Sequence, residues 1–237
     1  MSDAIGVEGR ADPPSLAGLF SESVQSASAP IEDHLEALLP LEREGIAQAS
    51  TARRHEFATG RWLARSLLRA KGAGEVPIPR NPDRTPGWPA GWVGSITHSG
   101  HACAVAVARS EVCRGLGIDL EPDQAVKPGL ERMICFGDEL AWIAAEGESG
   151  LGRRCRMVFS AKEAVYKTFH PHTRRVWRFE EVALEIDLLR ERFEARLPPD
   201  AGPSTISGRI LCRGGWIVSG VEWSAAESSG ALRASAS

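Results

Sequence analysis

Hydrophobic residues recur with a helical period between Ser50 and Ala70, where Phe57, Leu63 and Leu67 fall along one stripe. Gly72 lies just beyond the last periodic position, where glycine commonly ends a helix. The pattern predicts an amphipathic helix over this segment.

A second helical pattern starts at Ser160, whose hydroxyl is of the type preferred at an N-cap. Glu163 follows three residues later, as in a capping box, and Phe159 precedes the cap. A helix that begins at Ser160 brings Lys162, Glu163 and Lys167 together within about one turn. Taken alone, this arrangement is also typical of an ordinary helix start followed by an i,i+4 ion pair.

Elsewhere apolar and polar residues alternate, which predicts β-strands. The predicted strands cover 92–97, 102–108 and 117–122 in the first half of the chain and 182–186, 193–197, 205–212 and 216–223 in the second. Short helices are predicted at 31–39, 130–134 and 138–146. Gly214 and Gly215 separate the last two strands and predict a hairpin turn.

The order of these elements recurs, because each half contains a helix followed by three or four antiparallel strands. We therefore expect an α+β fold with two similar lobes, each a helix packed on a small antiparallel sheet, and a site at their seam. The lobes are predicted to span 16–123 and 124–223. Small and polar residues at 1–15 and 224–237 favour disordered termini.

Two carboxylates share one face of a predicted strand. Asp119 and Glu121 alternate with Ile118 and Leu120, so the two acids lie about 7 Å apart at Cα on the same side. They could form the solvated side of a sheet. Alternatively, hard oxygen ligands at this separation suit Mg²⁺ completed by phosphate and water.

Basic residues are concentrated on the first predicted helix and in the segment that follows it. Arg53 and Arg61 lie about 12 Å apart along the helix axis. Arg80 and Arg84 occur in a Pro- and Gly-rich loop at 76–92. A basic helix face is usually solvated, but two arginines at this separation could also hold two distant phosphates of one extended ligand.

Composition excludes several classes of protein. The 237 residues contain 28 Lys and Arg against 31 Asp and Glu, so no global charge favours nucleic acid or an anionic membrane. The odd number of cysteines, without a C-x-x-C pair, argues against a disulfide framework or structural zinc and fits a reducing compartment. Neither a signal sequence nor an apolar run of membrane length is evident. We expect a cytoplasmic protein.

The two central motifs are G-I-D-L-E-P at 117–122 and F-S-A-K-E-A-V-Y-K at 159–167. Together they resemble the signature pair of the 4'-phosphopantetheinyl transferase superfamily. R-R-H-E-F-A-T-G-R at 53–61 and T-H-S at 97–99 are similar to its monomeric group, which includes surfactin-type and enterobactin-synthase component D enzymes. The likeness covers roughly residues 50–190 and implies a pseudo-dimer of two α+β lobes.

The resemblance implies that the 4'-phosphopantetheine arm of coenzyme A is moved to a serine of an acyl or peptidyl carrier protein. Adenosine 3',5'-bisphosphate is then released. By resemblance, Asp119, Glu121 and Glu163 hold Mg²⁺, or Mn²⁺ in its place, on the pyrophosphate. Either Glu163 or a water on the metal takes the serine proton. Such enzymes act as monomers and serve polyketide, nonribosomal peptide and siderophore biosynthesis.

The resemblance also assigns the basic side chains to coenzyme A, with Lys167 beside the leaving group and Lys162 on phosphate oxygens. The other residues expected to contact the 3'-phosphate and pyrophosphate are Arg53, Arg61, Arg80, Arg84, Thr97 and His98. A Mg²⁺-dependent phosphohydrolase would also use clustered acids and cations. A non-catalytic module that binds coenzyme A or another nucleotide would not need three acids.

Overall fold

A computed structural model describes residues 11–226 and contains two antiparallel sheets, each packed against one long helix. The α-helices are α1 Pro40–Arg43, α2 Thr51–Ala70, α3 Glu131–Ile134, α4 Asp138–Ala144 and α5 Glu148–Thr173. The strands are β1 Gln25–Pro30, β2 Trp92–Ser99, β3 Ala102–Arg109, β4 Cys113–Pro122, β5 Ala183–Asp187, β6 Arg192–Arg196, β7 Thr205–Arg213 and β8 Trp216–Ser224. Short 3-10 turns occur at Leu35–Ala37, Glu44–Ile46, Phe179–Glu181, Leu188–Arg190 and Pro199–Ala201. The predicted α+β fold is confirmed.

The first sheet has the order β1-β3-β2 and is covered by α2. Ser50 caps this helix as expected, since its hydroxyl oxygen accepts the Arg53 N–H. Leu63 and Leu68 of α2 pack against Val105 and Val107 of β3, which alternate toward the helix. Strand β1 was not predicted because its small residues give no apolar alternation.

The second sheet has the order β4-β8-β7-β6-β5 and is covered by α5. Val158, Val165 and Phe169 of the helix pack with residues of this sheet in the largest core cluster. The predicted hairpin between β7 and β8 is confirmed. Gly214 and Gly215 make its turn with φ values of 61° and 80°, a region that glycine enters without strain.

Strand β4 joins the two sheets. Its sequence position places it in the first predicted lobe, but its backbone pairs with β8 in the second sheet, with Asp119 opposite Ser219. It also lies beside β2 of the first sheet, where the Ile118 N–H donates to Ser95 Oγ at 3.1 Å. The face that carries Asp119 is therefore held between both halves of the molecule.

Two glycines let α5 approach β4 closely. A methyl group at Gly117 would lie 1.8 Å from the carbonyl oxygen of Ala164, and one at Gly115 would lie 2.7 Å from that of Thr168. Both distances are far below van der Waals contact. The G-x-G spacing in β4 therefore allows the helix to lie directly over the strand face that carries the acids.

The predicted helix start at Ser160 is wrong. Helix α5 begins twelve residues earlier, at Glu148. Ser160 is buried in mid-helix, where its hydroxyl donates to Ser219 Oγ at 2.9 Å. Its side chain fastens the helix to β8 rather than capping it.

Smaller differences concern the ends of elements. Only a 3-10 turn at Leu35–Ala37 forms where a helix over 31–39 was expected. Strand β2 extends to Ser99, two residues beyond the predicted end at residue 97. Within 11–15, Pro14 is buried and the Asp12 carbonyl accepts from Trp216 Nε1 at 2.8 Å. Residues 1–10 and 227–237 of the predicted disordered ends lie outside the described residues.

The division into lobes at residue 123 remains a prediction. Within residues 11–226, no helix has the length and apolar character that crossing a membrane requires.

Candidate functional site

Lys167 of α5 connects the two sheets. Its ammonium donates to Asp119 Oδ1 of β4 at 2.6 Å and to Thr97 Oγ1 of β2 at 3.2 Å. A third contact reaches the carbonyl oxygen of Ile118 at 3.3 Å. The Lys167 side chain is 25% exposed while that of Asp119 is 5% exposed, so this buried acid is reached from a cleft through the lysine.

Glu121 and Glu163 lie near this contact. Burial raises the pKa of Glu163, and the negative charges of Asp119 and Glu121 raise it further, against the opposing effect of Lys167. Burial also raises the pKa of Glu121, again with a contribution from Asp119. The structure thus brings the three predicted acids into one electrostatic neighbourhood that has an excess of negative charge.

The acids are only partly neutralised by the protein. Arg156 donates to Glu121 Oε2, and Lys167 holds Asp119 Oδ1, but Asp119 Oδ2 is buried without a hydrogen-bond partner. A buried carboxylate oxygen without a protein partner is uncommon, and such an oxygen suits a cation or a hydrogen-bond donor. No three His, Cys, Asp or Glu side chains within residues 11–226 are arranged to hold a metal by themselves.

A basic cluster lies along the N-terminal part of α2. Arg61 is 5% exposed, and its Nε donates to the carbonyl oxygen of Ile78 at 2.7 Å. Burial lowers its pKa to about 10, and the charges of Arg53 and Arg80 contribute to the lowering. The charges of Arg53 and Arg80 therefore disfavour the charged form of Arg61, while Glu42 opposes them, and an anion beside these arginines would be favourable.

His98 connects the basic cluster to the acids. Its Nε2 contacts an Arg53 guanidinium nitrogen, and its Nδ1 lies 3.5 Å from Glu56. Burial lowers the pKa of His98; the charges of Arg53 and Lys167 add to this effect, while those of Glu56 and Asp119 oppose it. The pKa of His98 thus responds both to Arg53 of the basic cluster and to Asp119 and Lys167.

Arg84 lines a cleft whose lining includes none of the other predicted arginines. The cleft has a volume of about 550 Å³ and lies between the Pro- and Gly-rich loop, β2 and α5, and its lining also includes Tyr166 and Lys167. Asp83 of the loop forms an ion pair with Arg174 at the end of α5, and both residues line this cleft. Lys167 is thus accessible from the cleft that carries Arg84.

Lys162 does not belong to this arrangement, contrary to its predicted role on phosphate oxygens. Its side chain is 2% exposed, and its ammonium donates to Glu139 Oε2 at 2.7 Å. The other two bonds reach the carbonyl oxygens of Ile134 at 3.0 Å and Phe179 at 2.8 Å. All three N–H donors are used inside the protein, so Lys162 fastens α5 to its surroundings.

The sequence interpretation assigned no role to Arg156 or Glu56. Arg156 was overlooked because it lies ahead of the expected helix start, although a helix from Glu148 places it two turns before Glu163 on the same face. Glu56 is three residues from Arg53 on α2, and that spacing signals the ion pair seen at 3.0 Å.

Lys167 lines the cleft and contacts the buried Asp119, and the charges of Glu121 and Glu163 act on the same group of acids. An arginine cluster lies on the adjoining side. Such a site can bind a polyanionic ligand and stabilise negative charge that develops next to Lys167.

Comparison with known proteins agrees with this chemistry. Residues 41–108 match a family described as the 4'-phosphopantetheinyl transferase N-terminal domain, and residues 115–207 match the 4'-phosphopantetheinyl transferase superfamily. The two matches together include the arginine cluster, the acids and Lys167.

Three relatives carry the same activity in their names. The 4'-phosphopantetheinyl transferase Svp of Streptomyces mobaraensis is 35% identical over 189 residues, which cover 77% of this chain and 70% of the relative. PptT of Mycobacterium tuberculosis is 36% identical over 186 residues, 76% of this chain and 81% of the relative. Npt of Nocardia iowensis is 35% identical over 175 residues, 74% of this chain and 75% of the relative. The chain therefore belongs to the 4'-phosphopantetheinyl transferase superfamily and is an enzyme of the transferase class.

Proposed function

We propose that this protein transfers the 4'-phosphopantetheine arm of coenzyme A to a serine of an apo acyl or peptidyl carrier protein, with a divalent cation as cofactor. Adenosine 3',5'-bisphosphate is the second product. The observation that carries the proposal is the contact of Lys167 with Asp119 across the two sheets, beside Glu121 and Glu163. The three relatives, each named a 4'-phosphopantetheinyl transferase, support the same reaction.

The basic cluster suits the phosphate groups of coenzyme A. The charges of Arg53 and Arg80 disfavour the charged form of Arg61, and a phosphate beside these side chains would offset that effect. His98, which contacts Arg53, lies on the side nearer Asp119 and Lys167. We assign the 3'-phosphate to the arginines and the pyrophosphate to the side of His98 and Lys167.

The acids fit a divalent cation that is shared with the ligand. Mg²⁺ usually binds through one or two carboxylates, several waters and substrate phosphates rather than in an all-protein cage. The free Oδ2 of Asp119, together with Glu121 and Glu163, would supply the protein ligands, and Mn²⁺ could replace Mg²⁺. When bound, the cation polarises the diphosphate and neutralises its charge.

The protein's own groups complete the reaction by position and charge. The carrier serine oxygen attacks the β-phosphorus of coenzyme A, a new P–O bond forms, and the bond to the bridging oxygen breaks. Lys167 donates a hydrogen bond where charge grows on the leaving oxygens. Glu163, whose pKa is raised by burial, is suited to hold the serine proton on its carboxylate.

The proposal extends to the setting of the enzyme. Cys103, Cys135, Cys155 and Cys212 form no disulfide bond, which supports the expectation of a reducing cytoplasm. We further propose that the protein acts as a monomer, because both sheets that form the site come from one chain.

The test combines the protein, coenzyme A, Mg²⁺ and an apo carrier protein. We expect the carrier to gain the mass of one phosphopantetheine and adenosine 3',5'-bisphosphate to appear in equal amount, with both signals lost after chelation of the metal. Hydrolysis of coenzyme A without carrier labelling would instead indicate a phosphohydrolase. Binding of coenzyme A with no product would indicate a non-catalytic module, and either result would overturn the proposal.

A further inference from the structure

Arg156 of α5 forms a hydrogen bond with Glu121, one of the three acids. Its Nη1 donates to Glu121 Oε2, while Nε donates to the Gln124 carbonyl oxygen at 2.8 Å and Nη2 to that of Ala125 at 3.2 Å. One guanidinium therefore joins the Glu121 carboxylate to the backbone that follows β4. The planar group fixes the direction of all three bonds, which a lysine ammonium cannot do.

Glu121 needs such a support because of its place in the fold. It lies one residue before the end of β4, and its side chain is 16% exposed, so it has a route toward solvent. Asp119 lies on the same strand face and repels it. A glutamate that is not held would adopt several side-chain conformations, and binding a ligand in one of them would cost entropy.

We propose that Arg156 is a positioning residue for the transfer reaction, because its hold on Oε2 keeps the Glu121 carboxylate beside Asp119 and Glu163. The inference rests on the proposed function, since it assigns these acids to a shared divalent cation. Arg156 acts through Glu121 and need not touch the substrate. Glu121 Oε1 accepts no hydrogen bond from the residues between 11 and 226 and stays available to the cation.

Arg153 provides a matched control on the same helix. Its Nε and Nη2 donate to the Asp123 carboxylate at 2.6 and 2.8 Å, so it also fastens α5 to the segment after β4. Asp123 is not among the proposed cation ligands. Substitution of Arg153 therefore removes a comparable ion pair between α5 and this segment but leaves the contacts of Asp119, Glu121 and Glu163 unchanged.

The experiment measures Mn²⁺ binding to the full chain by electron paramagnetic resonance, with saturating coenzyme A and no carrier protein. Arg156→Met should weaken Mn²⁺ binding by about 10- to 100-fold, the usual cost of losing a group that orients a metal ligand. Carrier labelling should show a lower kcat with little change in the KM for coenzyme A. Arg153→Met should bind Mn²⁺ like the wild type.

Two further variants make the test decisive. Arg156→Met should cause no additional loss in a Glu121→Gln background, because the residue that it positions has already been changed. If Arg156→Met does not fold, Arg156→Lys should fold and still bind Mn²⁺ more weakly, because lysine cannot satisfy three directed acceptors.

The inference would be overturned if Arg156→Met bound Mn²⁺ as tightly as the wild type, or if the wild type bound no Mn²⁺. It would also be overturned if Arg156→Met weakened Mn²⁺ binding equally in the wild-type and Glu121→Gln backgrounds. The proposed function fails separately if the wild type binds Mn²⁺ but labels no carrier protein.

Discussion

Lys162 and Lys167 lie five residues apart on α5, and each forms an ion pair with an acid from another element. All three N–H groups of the Lys162 ammonium donate hydrogen bonds within the protein. Its partner Glu139 also accepts the backbone N–H groups of Phe136 and Leu184, each at 2.9 Å. The partner of Lys167, Asp119, keeps one buried oxygen without a hydrogen bond. The two lysine–acid pairs of this helix therefore differ in how much of their hydrogen-bonding capacity the protein itself uses.

Under the proposed function, the difference distinguishes a structural ion pair, Lys162–Glu139, from one that takes part in the reaction, Lys167–Asp119. Where every donor and acceptor is used inside the protein, there is no capacity left for a ligand. Where a lysine is partly exposed and its acid keeps a free oxygen, both can interact with something that enters the cleft. The position of a lysine in a motif does not decide between these cases; the partners around it do.

The largest expected effect is a loss of stability when the Lys162–Glu139 ion pair is broken. Lys162→Met should lower the free energy of unfolding by about 3–5 kcal/mol, because Glu139 would be left buried without its counter-charge. Urea denaturation measures this loss. A variant within about 1 kcal/mol of the wild type would contradict the structural role of Lys162.

Lys167→Ala should affect the rate rather than the fold. We expect kcat to fall by about 10²–10³-fold, as when one donor to a developing negative charge is removed. The KM for coenzyme A should change less, because the interaction strengthens as charge grows on the leaving group. Steady-state kinetics of carrier labelling provide the measurement. Weaker binding at an unchanged rate would make Lys167 a ground-state contact only.

Gly117→Ala tests whether the closeness of α5 and β4 creates the site. The added methyl group must displace the helix from the strand, at a cost of about 1–3 kcal/mol in unfolding free energy. The displacement should also separate Lys167 from Asp119 and lower kcat. Gly115→Ala, which meets the backbone at 2.7 Å instead of 1.8 Å, should show smaller changes of both kinds. Equal activity in Gly117→Ala and the wild type would show that this closeness is not required.

The smallest effect concerns the pH dependence of stability. Because burial raises the pKa of Glu163, the folded protein binds this proton more tightly than the unfolded chain. The wild type should therefore lose stability as pH rises from the ordinary carboxyl pKa through the raised value. Glu163→Gln removes this loss.

Without metal, Glu163→Gln should melt slightly above the wild type at pH 8 and at the same temperature at pH 4. Thermal melts at both pH values make the measurement. A variant that is less stable than the wild type at pH 8 would show that the carboxylate charge is favourable in the fold.

Much of this could be predicted from local pattern. The alternation around Asp119 and Glu121 predicted that the two acids share one strand face. The repeated order of helix and strands predicted the two-part α+β fold. Ser160 misled the prediction because a capping-box pattern also fits a buried mid-helix serine that bonds to another strand. The roles of Lys162 and Arg156 depend on tertiary partners 17 to 35 residues distant in sequence, and helical spacing alone carries no information about them.

The central claim is that Asp119, with its free buried oxygen, forms the reacting centre together with Lys167. The most direct measurement is the intact mass of an apo carrier protein after incubation with coenzyme A and the Asp119→Asn variant over a range of Mg²⁺ concentrations. We predict a folded variant that adds no phosphopantetheine at any Mg²⁺ concentration at which the wild type labels the carrier fully. Labelling by the variant at the wild-type rate would contradict the claim.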